Sequence, residues 1–579
     1  MLENVVKKVD SSLSNKNASD QQQNFIWPML ISAAIFVVSI LFFDAVLHNI
    51  SGFKTSVWIS NKITWFGRWI PTDLTGGAHT RLAMHKTGFI EMVIFLVVMF
   101  AAYLACAWFL YRRAKSGSQT FLFWFIWAGV LVVSVIYLLT PAIMTTDVYS
   151  YSSYGRILAI YHANPYFVPP KAFPHDVVYQ WLQPEWRKVV SIYGPIWTIV
   201  GALLALIGGS SQLGLVLVFR CFALLCHVMN IILIVATMRA MKRSPRLILL
   251  GTFLYAWNPL VLMETVFNGH NDIFMVTFLL LGFYFCARAQ QKGTFLQWHG
   301  YLLPLVSFTA AVLVKFSAAP VLPVLVLAVA FATIQVDSKN GKLVWRRALS
   351  SAVLMTVTFV LIALVCYGPF WIGHSLRDII RGFTSLPASS DSISSVLSIF
   401  KNYNLYHALP SALNIFKSRL LWNIVNMVAM LAPILIGCIY LWRAPGTRTM
   451  ALVTLASFSG FLITTPWFFS WYLVWLIGLL PLCIAARMGR LSYTLLAFSL
   501  AFSATAFFSY YTTMVGWMLL LLKPPALTWN IWLSIGILGI PIAVLVITWL
   551  LWPRFARPET ISIQDTPLDL PAADSALVK

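Results

Sequence analysis

Acidic residues are scarce in this chain: 18 Asp and Glu stand against 40 Lys and Arg among 579 residues. Only 10% of the residues are charged and 60% are hydrophobic, and the mean hydropathy is +0.81. A soluble globular domain carries far more charge, so this composition indicates a polytopic membrane protein. We therefore interpret the formal net charge of +22 as basic residues kept on the cytoplasmic side and in contact with anionic lipid or phosphate, not as a nucleic-acid-binding surface.

Cysteine is also sparse, and its placement argues against two kinds of site. The seven cysteines all lie in apolar runs, without CxxC or paired loop spacing. We expect buried thiols and neither disulfides nor a zinc site. The sequence also lacks a glycine-rich phosphate loop, GxGxxG, HExxH and a Ser–His–Asp pattern, so a cytoplasmic nucleotide site is unsupported. No cofactor is predicted; a divalent metal stays open, although nothing in the pattern indicates one.

Long apolar runs define the fold class. Runs of about 15–25 apolar residues recur and predict an all-α polytopic bundle of about 13 to 15 transmembrane helices, with amphipathic or re-entrant helices in the outer loops. We place the runs near residues 25–47, 88–111, 120–140, 212–238, 246–263, 273–288, 300–316, 318–335, 348–367, 420–442, 449–466, 473–486, 491–511 and 531–552.

Short basic loops orient these helices. Clusters of Lys and Arg all fall on one side if both termini are cytoplasmic. The clusters are Arg112/Arg113/Lys115, Arg239/Lys242/Arg243/Arg246, Arg288/Lys292, Arg346/Arg347, Arg443/Arg448, Arg487/Arg490 and Arg554/Arg557. This parity requires that residues 193–209, which begin Tyr-Gly-Pro and end Gly-Gly-Ser-Ser, form a re-entrant or surface helix on the outer side and do not cross.

The chain divides by composition into flanking segments and a membrane core. The polar N-terminal stretch is too long for a cleaved signal peptide, so the first apolar run is expected to be an anchor. The predicted divisions are a disordered cytoplasmic N-terminus (1–24), two flanking transmembrane helices (25–119), the core (120–552) and a disordered cytoplasmic tail (553–579). The outer loop 141–192, rich in Pro and aromatics, predicts short amphipathic helices at the interface, and the Ser-rich stretch 387–398 indicates a lid.

One carboxylate stands out by its neighbours. Asp147 follows the apolar run 121–140 and begins the polar, tyrosine-rich stretch DVYSYSSYGR. On a helix, Asp147, Tyr151 and Tyr154 would share a face. We interpret Asp147 as a candidate catalytic base at the outer membrane surface. The simpler alternative is an N-cap, because Asp often serves only that purpose at a helix boundary.

A polar turn separates two later apolar runs. Glu264 and Asp272 bracket ETVFNGHND, which puts His270 and Asn271 at the start of a helix. Free N–H groups at such a helix N-terminus favour anions and sugar hydroxyls. A capped turn, with Asn271 or Asp272 as N-cap, is the simpler interpretation. A metal site built on His270 and Asp272 is a third.

Two cations interrupt apolar runs. Lys315 must reach outward or pair with an anion, because an unpaired charge in hydrocarbon costs several kcal/mol. The topology puts Lys315 on the same side as Asp147, which favours phosphate binding. Arg220 raises the same question and could pair with Glu264 or reach outward.

Aromatic residues crowd the stretch TTPWFFSWYLVW, residues 464–475, where Trp471 and Tyr472 fall at the outer interface. A belt of interfacial aromatics explains them simply. Because aromatic rings also stack on sugars and isoprenoid chains, the stretch could instead line a groove for a lipid or a sugar.

These pieces resemble the polytopic glycosyltransferases of the C superfamily, and most of all the bacterial polyprenol-phosphomannose-dependent α-mannosyltransferases of cell-wall glycan synthesis. The similar pieces run in consistent order over about residues 120–485. They are DVYSYSSYGR with NPYFVPP, YGPIW, WNPLVLMETVFNGHND, the helix with Lys315, and WFFSWYLVWLIGLLP. The resemblance implies an inverting transfer from a polyprenyl-phosphate sugar on the outer face, with an acidic base at the position that matches Asp147.

The resulting hypothesis is an integral hexosyltransferase of the bacterial plasma membrane. Asp147 would be the base, and Lys315, Arg156 and His270 would bind the donor phosphate. The predicted sugar or acceptor contacts are Asp272, Asn271, Glu264, Tyr151, Tyr193, Trp471 and Tyr472. The donor sugar would be mannose and the acceptor a glycan or lipid-linked glycan, although arabinosyl or glucosyl donors would suit the same residues.

Two other functions remain open at this stage. A lipid or sugar transporter or flippase usually shows inverted repeats and paired charges near the bilayer midplane. Here we detect no repeat, and the polar groups gather at one face. A non-catalytic scaffold for envelope assembly predicts that single substitutions at Asp147 and Asp272 have little effect.

Overall fold

The structure is a computed structural model that describes residues 25–51, 86–114, 119–140, 145–339, 344–384, 394–406, 410–510 and 525–555. Within these ranges the chain is helical and no residue is in a β-strand. Ten of the described helices are long and apolar enough to cross a membrane, or eleven if one bent pair counts as a span. The predicted all-α polytopic membrane bundle is confirmed.

The helices follow the apolar runs closely. In chain order they are α1 (Ile26–Ser51), α2 (Lys86–Arg113), α3 (Gln119–Leu139), α4 (Asp147–Ala159), α5 (Pro195–Gly208), α6 (Gln212–Ala240), α7 (Pro245–Ala256), α8 (Pro259–Leu262), α9 (Asp272–Gln291), α10 (Trp298–Val314), α11 (Val321–Lys339), α12 (Val344–Trp371), α13 (Leu376–Thr384), α14 (Val396–Tyr406), α15 (Arg419–Arg443), α16 (Thr447–Thr464), α17 (Leu473–Cys483), α18 (Arg490–Ala506) and α19 (Pro525–Phe555).

The run 246–263 forms a broken span and not the straight helix that the sequence predicts. Helix α7 ends at Ala256, and α8 with the turn after it continues at an angle of 50°. Asn258 stabilises the break, because its side-chain oxygen accepts hydrogen bonds from the N–H groups of Leu260 and Val261. Pro259 adds to the break because it has no N–H to donate.

The polar turn and the basic loops lie at opposite ends of the bundle. Helix α9 begins at Asp272, carries Arg288 in its last turn and has 20 residues, a length of about 30 Å. Near its end, the side-chain oxygen of Gln290 accepts a hydrogen bond from the N–H of Thr447 at 3.0 Å. The basic residues of the α15–α16 connection, including Arg448, therefore lie at the Arg288 end.

Helix α5 begins and ends on the side of the bundle that holds Lys315. It has 14 residues, too few to span a bilayer. Before it, the N–H of Gly194 donates to the carbonyl of Val314 at 3.1 Å. Helix α6 starts directly afterwards at Gln212 and runs to the basic end, so α5 returns to the side from which it started. This agrees with the predicted re-entrant or surface helix.

The described part of the loop 141–192, residues 145–192, contains short helices, as predicted, but only α4 exceeds one turn. Three single 3-10 turns follow it, at Pro170–Ala172, Tyr179–Trp181 and Trp186–Lys188. Prolines at 165, 169, 170, 174 and 184 prevent a continuous helical ladder here. Most of the predicted lid at 387–398, residues 1–24 and residues 556–579 lie outside the described residues, and the predicted domain boundaries stay a prediction.

Candidate active site

Asp147 is the first residue of α4, and its carboxylate does not cap the helix. The N-cap position belongs to Thr146, and no side chain accepts a capping hydrogen bond there. The N–H of Asp147 donates to the hydroxyl oxygen of Thr145 at 3.2 Å. The side chain keeps 20% of its surface exposed. The simple capping interpretation of Asp147 therefore receives no support.

Tyr151 and His270 approach the Asp147 carboxylate on its buried side. The Tyr151 hydroxyl donates to Oδ2 of Asp147 at 3.4 Å, which confirms the predicted shared helix face. Nδ1 of His270 lies 3.5 Å from the same oxygen. Burial is the main reason that the pKa of Tyr151 lies well above its ordinary value. Tyr151 is therefore a neutral O–H donor beside a carboxylate.

The turn that carries His270 owes its shape to two local features. Residues Met263–Phe267 form one turn of π-helix, a rare conformation that is frequent at functional sites. Gly269 then adopts φ +69°, a left-handed conformation that glycine tolerates without steric cost. Asn271 precedes α9 without making a side-chain cap hydrogen bond. The interpretation of this stretch as only a capped turn is not supported.

Glu264 lies behind His270 and is fully buried. Its Oε2 accepts hydrogen bonds from the Tyr510 hydroxyl at 2.6 Å and from Nδ2 of Asn268 at 2.8 Å. Nε2 of His270 lies 3.4 Å from the same oxygen. Asp147, His270 and Glu264 thus form a continuous line from the edge of the site into the core.

Lys315 pairs with Asp272, which resolves the question that the sequence left open. Helix α10 ends at Val314, and Lys315 follows in extended conformation. Its Nζ donates to Oδ1 and Oδ2 of Asp272 at 2.8 and 2.9 Å, and it lies 4.3 Å from the centre of the Tyr472 ring. Nε1 of Trp475 also donates to Oδ1 of Asp272, at 2.6 Å. The Lys315 side chain is 18% exposed and that of Asp272 only 1%.

Tyr193 connects these two halves. Its ring packs edge-on against Tyr151, with centroids 5.2 Å apart. Burial raises the pKa of Tyr193, and the charges of Asp147 and Asp272 raise it further. Trp471 stacks on His270 and the adjacent Tyr472 lies against Lys315, so the base candidate and the Lys315–Asp272 pair belong to one site.

Trp471 and Tyr472 face this site and are more than an interfacial belt. Trp471 stacks on the imidazole of His270 at 4.1 Å and on Phe469 at 4.3 Å. Tyr472 stacks on Trp475 at 4.8 Å. These stacks fix the orientation of the His270 imidazole and of the Tyr472 ring beside Lys315.

Arg156 does not lie beside Lys315 or His270, the other two residues predicted to bind the donor phosphate. Its Nε donates to both carboxylate oxygens of Asp176, at 3.1 and 2.9 Å, and Nη1 donates to the carbonyl of Gly209. Nine residues of helix separate it from Asp147, about 13 Å. Its charge is neutralised by Asp176, so this geometry favours a structural role.

Arg220 and Glu264 also differ from the sequence-based expectation. Arg220 is buried and donates to the carbonyls of Phe267, Leu138 and Thr140 at 2.6, 3.1 and 2.6 Å. It therefore links α3 to the polar turn and does not reach outward. Glu264 is too deeply buried to meet a sugar directly.

The alternative metal pair binds separate partners. His270 faces Asp147 and Glu264, whereas Asp272 is held by Lys315 and Trp475. In the part of the chain that the structure describes, no group of three or more His, Cys, Asp or Glu side chains is arranged to hold a metal ion.

Sequence reasoning missed three participants. Tyr510 lies 246 residues from Glu264 and ends an apolar run, so no local pattern indicates it. Asp176 is one polar residue of a long loop, and its pairing with Arg156 is equally hidden. Trp475 could have been found, because it belongs to the same aromatic stretch, residues 464–475, as Trp471 and Tyr472.

Fold and site together define a polytopic membrane protein in which a carboxylate, Asp147, and an ammonium group, Lys315, lie at one end of the helix bundle. Its sequence is similar to those of known mannosyltransferases. The family model described as alpha-(1→6)-mannopyranosyltransferase, N-terminal domain, matches residues 51–331. That range includes Asp147, the polar turn and Lys315.

Two mycobacterial proteins show the same similarity. A probable alpha-(1→6)-mannopyranosyltransferase of Mycolicibacterium smegmatis is 25% identical over 280 residues, which cover 46% of this chain and 49% of that protein. Alpha-(1→6)-mannopyranosyltransferase A of Mycobacterium tuberculosis is 23% identical over 379 residues, covering 63% and 64%. The chain therefore spans less than two thirds of each relative. No solved structure matches. The predicted resemblance to bacterial α-mannosyltransferases is confirmed.

Proposed function

We propose that this protein is an inverting mannosyltransferase that moves mannose from a polyprenyl-phosphate donor to a glycan or lipid-linked acceptor on the outer face of the bacterial plasma membrane. One observation carries the proposal. Asp147 and Lys315 keep 20% and 18% of their side-chain surface exposed, whereas His270, Glu264 and Asp272 keep 1% or less. The site thus presents one carboxylate and one ammonium group to a substrate.

Those two groups suit a single displacement at a sugar phosphate. Asp147 accepts the proton of the acceptor hydroxyl as that oxygen attacks the anomeric carbon. The bond from the anomeric carbon to the phosphate oxygen breaks, and the phosphate takes the electron pair. Lys315 has three N–H donors; two face Asp272, and the third is available to stabilise the developing phosphate charge. Attack opposite the leaving group inverts the anomeric carbon.

The position of the site supports a lipid-linked donor. The site lies at the end of α9 opposite Arg288, and basic loops mark the cytoplasmic side of membrane proteins. A polyprenyl-phosphate sugar presents its head group at that level, with its tail between helices. Binding energy from the tail would then position the anomeric carbon.

The remaining residues suit supporting roles. Tyr193 packs against Tyr151, which hydrogen-bonds to Asp147, and would position the acceptor between Asp147 and the donor. Asn271 is buried, and its Oδ1 accepts from the Tyr151 hydroxyl at 3.4 Å, so it suits the positioning of Tyr151 beside Asp147. Trp471 stacks on two other rings, so we assign it to the orientation of His270 and not to sugar stacking.

The direct test uses the full chain in lipid nanodiscs with polyprenyl-phosphate mannose and a mannose-containing acceptor. Mass spectrometry should show one added hexose, and GDP-mannose should not replace the lipid donor. Asp147→Asn should lower kcat by about 100-fold or more while leaving the folded yield intact. Asp337→Asn is the matched control, because Asp337 is a buried carboxylate paired with Arg347. Full turnover by Asp147→Asn would reject the assignment.

One observation keeps the transporter alternative open to test. The 50° break between α7 and α8 is a feature that many transporters share. Uptake of a mannosyl lipid across vesicles without formation of a glycosylated product would support a transporter and contradict the proposed transferase.

A further inference from the structure

Glu264 is a buried carboxylate whose polar neighbours gather at one of its two oxygens. Its Oε2 accepts hydrogen bonds from the Tyr510 hydroxyl at 2.6 Å and from Nδ2 of Asn268 at 2.8 Å, and Nε2 of His270 lies 3.4 Å from the same oxygen. Nδ2 of Asn268 also donates to the Tyr510 hydroxyl at 2.8 Å. The two hydrogen bonds to Glu264 fix its Oε2 beside the imidazole of His270.

The imidazole between the two carboxylates has a defined orientation. Trp471 stacks on one of its faces, with an interplanar angle of 20°. Nδ1 points to Asp147 at 3.5 Å and Nε2 to Glu264 at 3.4 Å. An ionised Glu264 favours the tautomer that carries hydrogen on Nε2, which leaves Nδ1 free to accept a proton.

We propose that Glu264 is a positioning residue that holds His270 ready to receive the acceptor's proton from Asp147. The three side chains then form a proton relay from the partly exposed edge of the site into the buried core. This inference rests on the proposed function, because it assigns the fate of the proton that Asp147 removes. Tyr510 and Asn268 hold Glu264 in place.

The relay balances without any other reactant. The acceptor O–H bond breaks as the new bond to the anomeric carbon forms, and its proton passes to Oδ2 of Asp147. Asp147 then donates this proton to Nδ1 of His270, which becomes an imidazolium beside the Glu264 carboxylate. After the product leaves, the proton returns through Asp147 to water and the site is ready again. Transient storage of the proton on His270 keeps Asp147 ionised during transfer.

Other charged and titratable groups surround the relay and set its electrostatics. Tyr151 comes from α4, Arg220 from α6, Tyr472 from the turn before α17 and Tyr510 from the segment after α18. Asp272 is the first residue of α9, and its partner Lys315 directly follows α10. Lys315 is paired with Asp272, and Arg220 binds main-chain carbonyls. Glu264 is therefore the anion that faces Nε2.

The test is the pH dependence of kcat in nanodiscs, measured with polyprenyl-phosphate mannose. The relay requires an ionised Asp147 and a neutral His270, so kcat should fall toward acid pH. Glu264→Gln removes the anion that stabilises the imidazolium, and the acid limb should move to lower pH by about one unit or more. The plateau of kcat should fall roughly 10-fold or more, and the KM for the donor should change less than about twofold.

Tyr510→Phe gives a second, milder test. It removes one donor from Glu264 and should change the limb and kcat less than Glu264→Gln does. Tyr255→Phe is its matched control, because Tyr255 is a buried phenol that accepts from Nδ2 of Asn230 at 2.9 Å. Asp337→Asn is the control for Glu264→Gln. Both controls should keep the profile of the natural sequence.

The outcomes separate the relay from the proposed function. If the natural sequence transfers mannose, Asp147→Asn does not, and Glu264→Gln keeps the acid limb in place, the relay is wrong and the proposed function stands. A loss of kcat without a moved limb has the same meaning, since it indicates a structural role. If the natural sequence transfers no mannose, both are rejected. Should Glu264→Gln fail to fold, the pH profile of Tyr510→Phe tests the relay: a shifted acid limb supports the relay, and an unchanged limb rejects it.

Discussion

Lys315 and Asp272, 43 residues apart in the sequence, form an ion pair in which one ammonium group donates to both carboxylate oxygens at 2.8 and 2.9 Å. The pair ties the end of α10 to the start of α9. Because Asp272 is buried and Lys315 is partly exposed, the pair also presents its cation to the site.

Removal of that cation should affect the donor more than the acceptor. We expect Lys315→Ala to raise the KM for polyprenyl-phosphate mannose by about 10-fold or more, because one charge-assisted hydrogen bond to phosphate contributes about 1.5–3 kcal/mol. The KM for the acceptor should change little. Steady-state kinetics with each substrate varied in turn measures both. Lys171→Ala, at an exposed lysine, is the control. Equal effects on both substrates would contradict a role in phosphate binding.

Arg156 should matter for stability and not for the donor. Its pair with Asp176 leaves only 8% and 7% of the two side chains exposed. Arg156→Ala should lower the free energy of unfolding by about 3 kcal/mol, because it leaves a buried carboxylate unpaired. Thermal unfolding of Arg156→Ala, Asp176→Ala and the double variant should show strong coupling. A raised donor KM in Arg156→Ala at unchanged stability would instead restore the phosphate-binding role predicted from the sequence.

Gly194 should tolerate no side chain. A Cβ atom there would lie 1.9 Å from the carbonyl oxygen of Leu313, so the main chain would have to move. We expect Gly194→Ala to cost about 1–3 kcal/mol and to lower kcat, because Tyr193 would move with it. Gly446→Ala is the control, since a Cβ at Gly446 meets no heavy atom within 4 Å. A Gly194→Ala protein with unchanged melting temperature and kcat would show that this close approach is unimportant.

Alkaline pH should destabilise the loop that holds Asp147. Burial raises the pKa of Tyr151, Tyr154, Tyr166 and Tyr193 above the ordinary value. A group whose pKa is raised in the folded state stabilises that state fully below its unfolded pKa, about 10 for tyrosine, and this contribution is lost at higher pH. The melting temperature should therefore begin to fall at about pH 10 and continue to fall above it, as the pH rises toward the raised pKa values of the folded state. In Tyr166→Phe the melting temperature should fall less steeply with pH. An unchanged slope would show that ionisation of this tyrosine does not cause the loss of stability.

The local sequence pattern was sufficient to predict where the helices lie, because the length and hydropathy of each apolar run indicate a membrane span. Helix α4 and the shared face of Asp147 and Tyr151 were predictable for the same reason. The broken span was missed, although Asn258 as an N-cap directly before Pro259 is a local signal for a new helix start. The prolines in the loop after α4 indicate single turns and not the amphipathic helices that we predicted there.

By itself the sequence determined the all-α membrane class, the positions of most helices, and a short set of polar residues that apolar runs cannot conceal. Only the tertiary structure decided which of these residues act together. It separated Arg156 from the site through Asp176, joined Lys315 to Asp272, and brought Tyr510 to Glu264. The reason is physical: hydropathy and helical period act over a few residues, whereas the partner of a buried charge is selected by how distant helices pack.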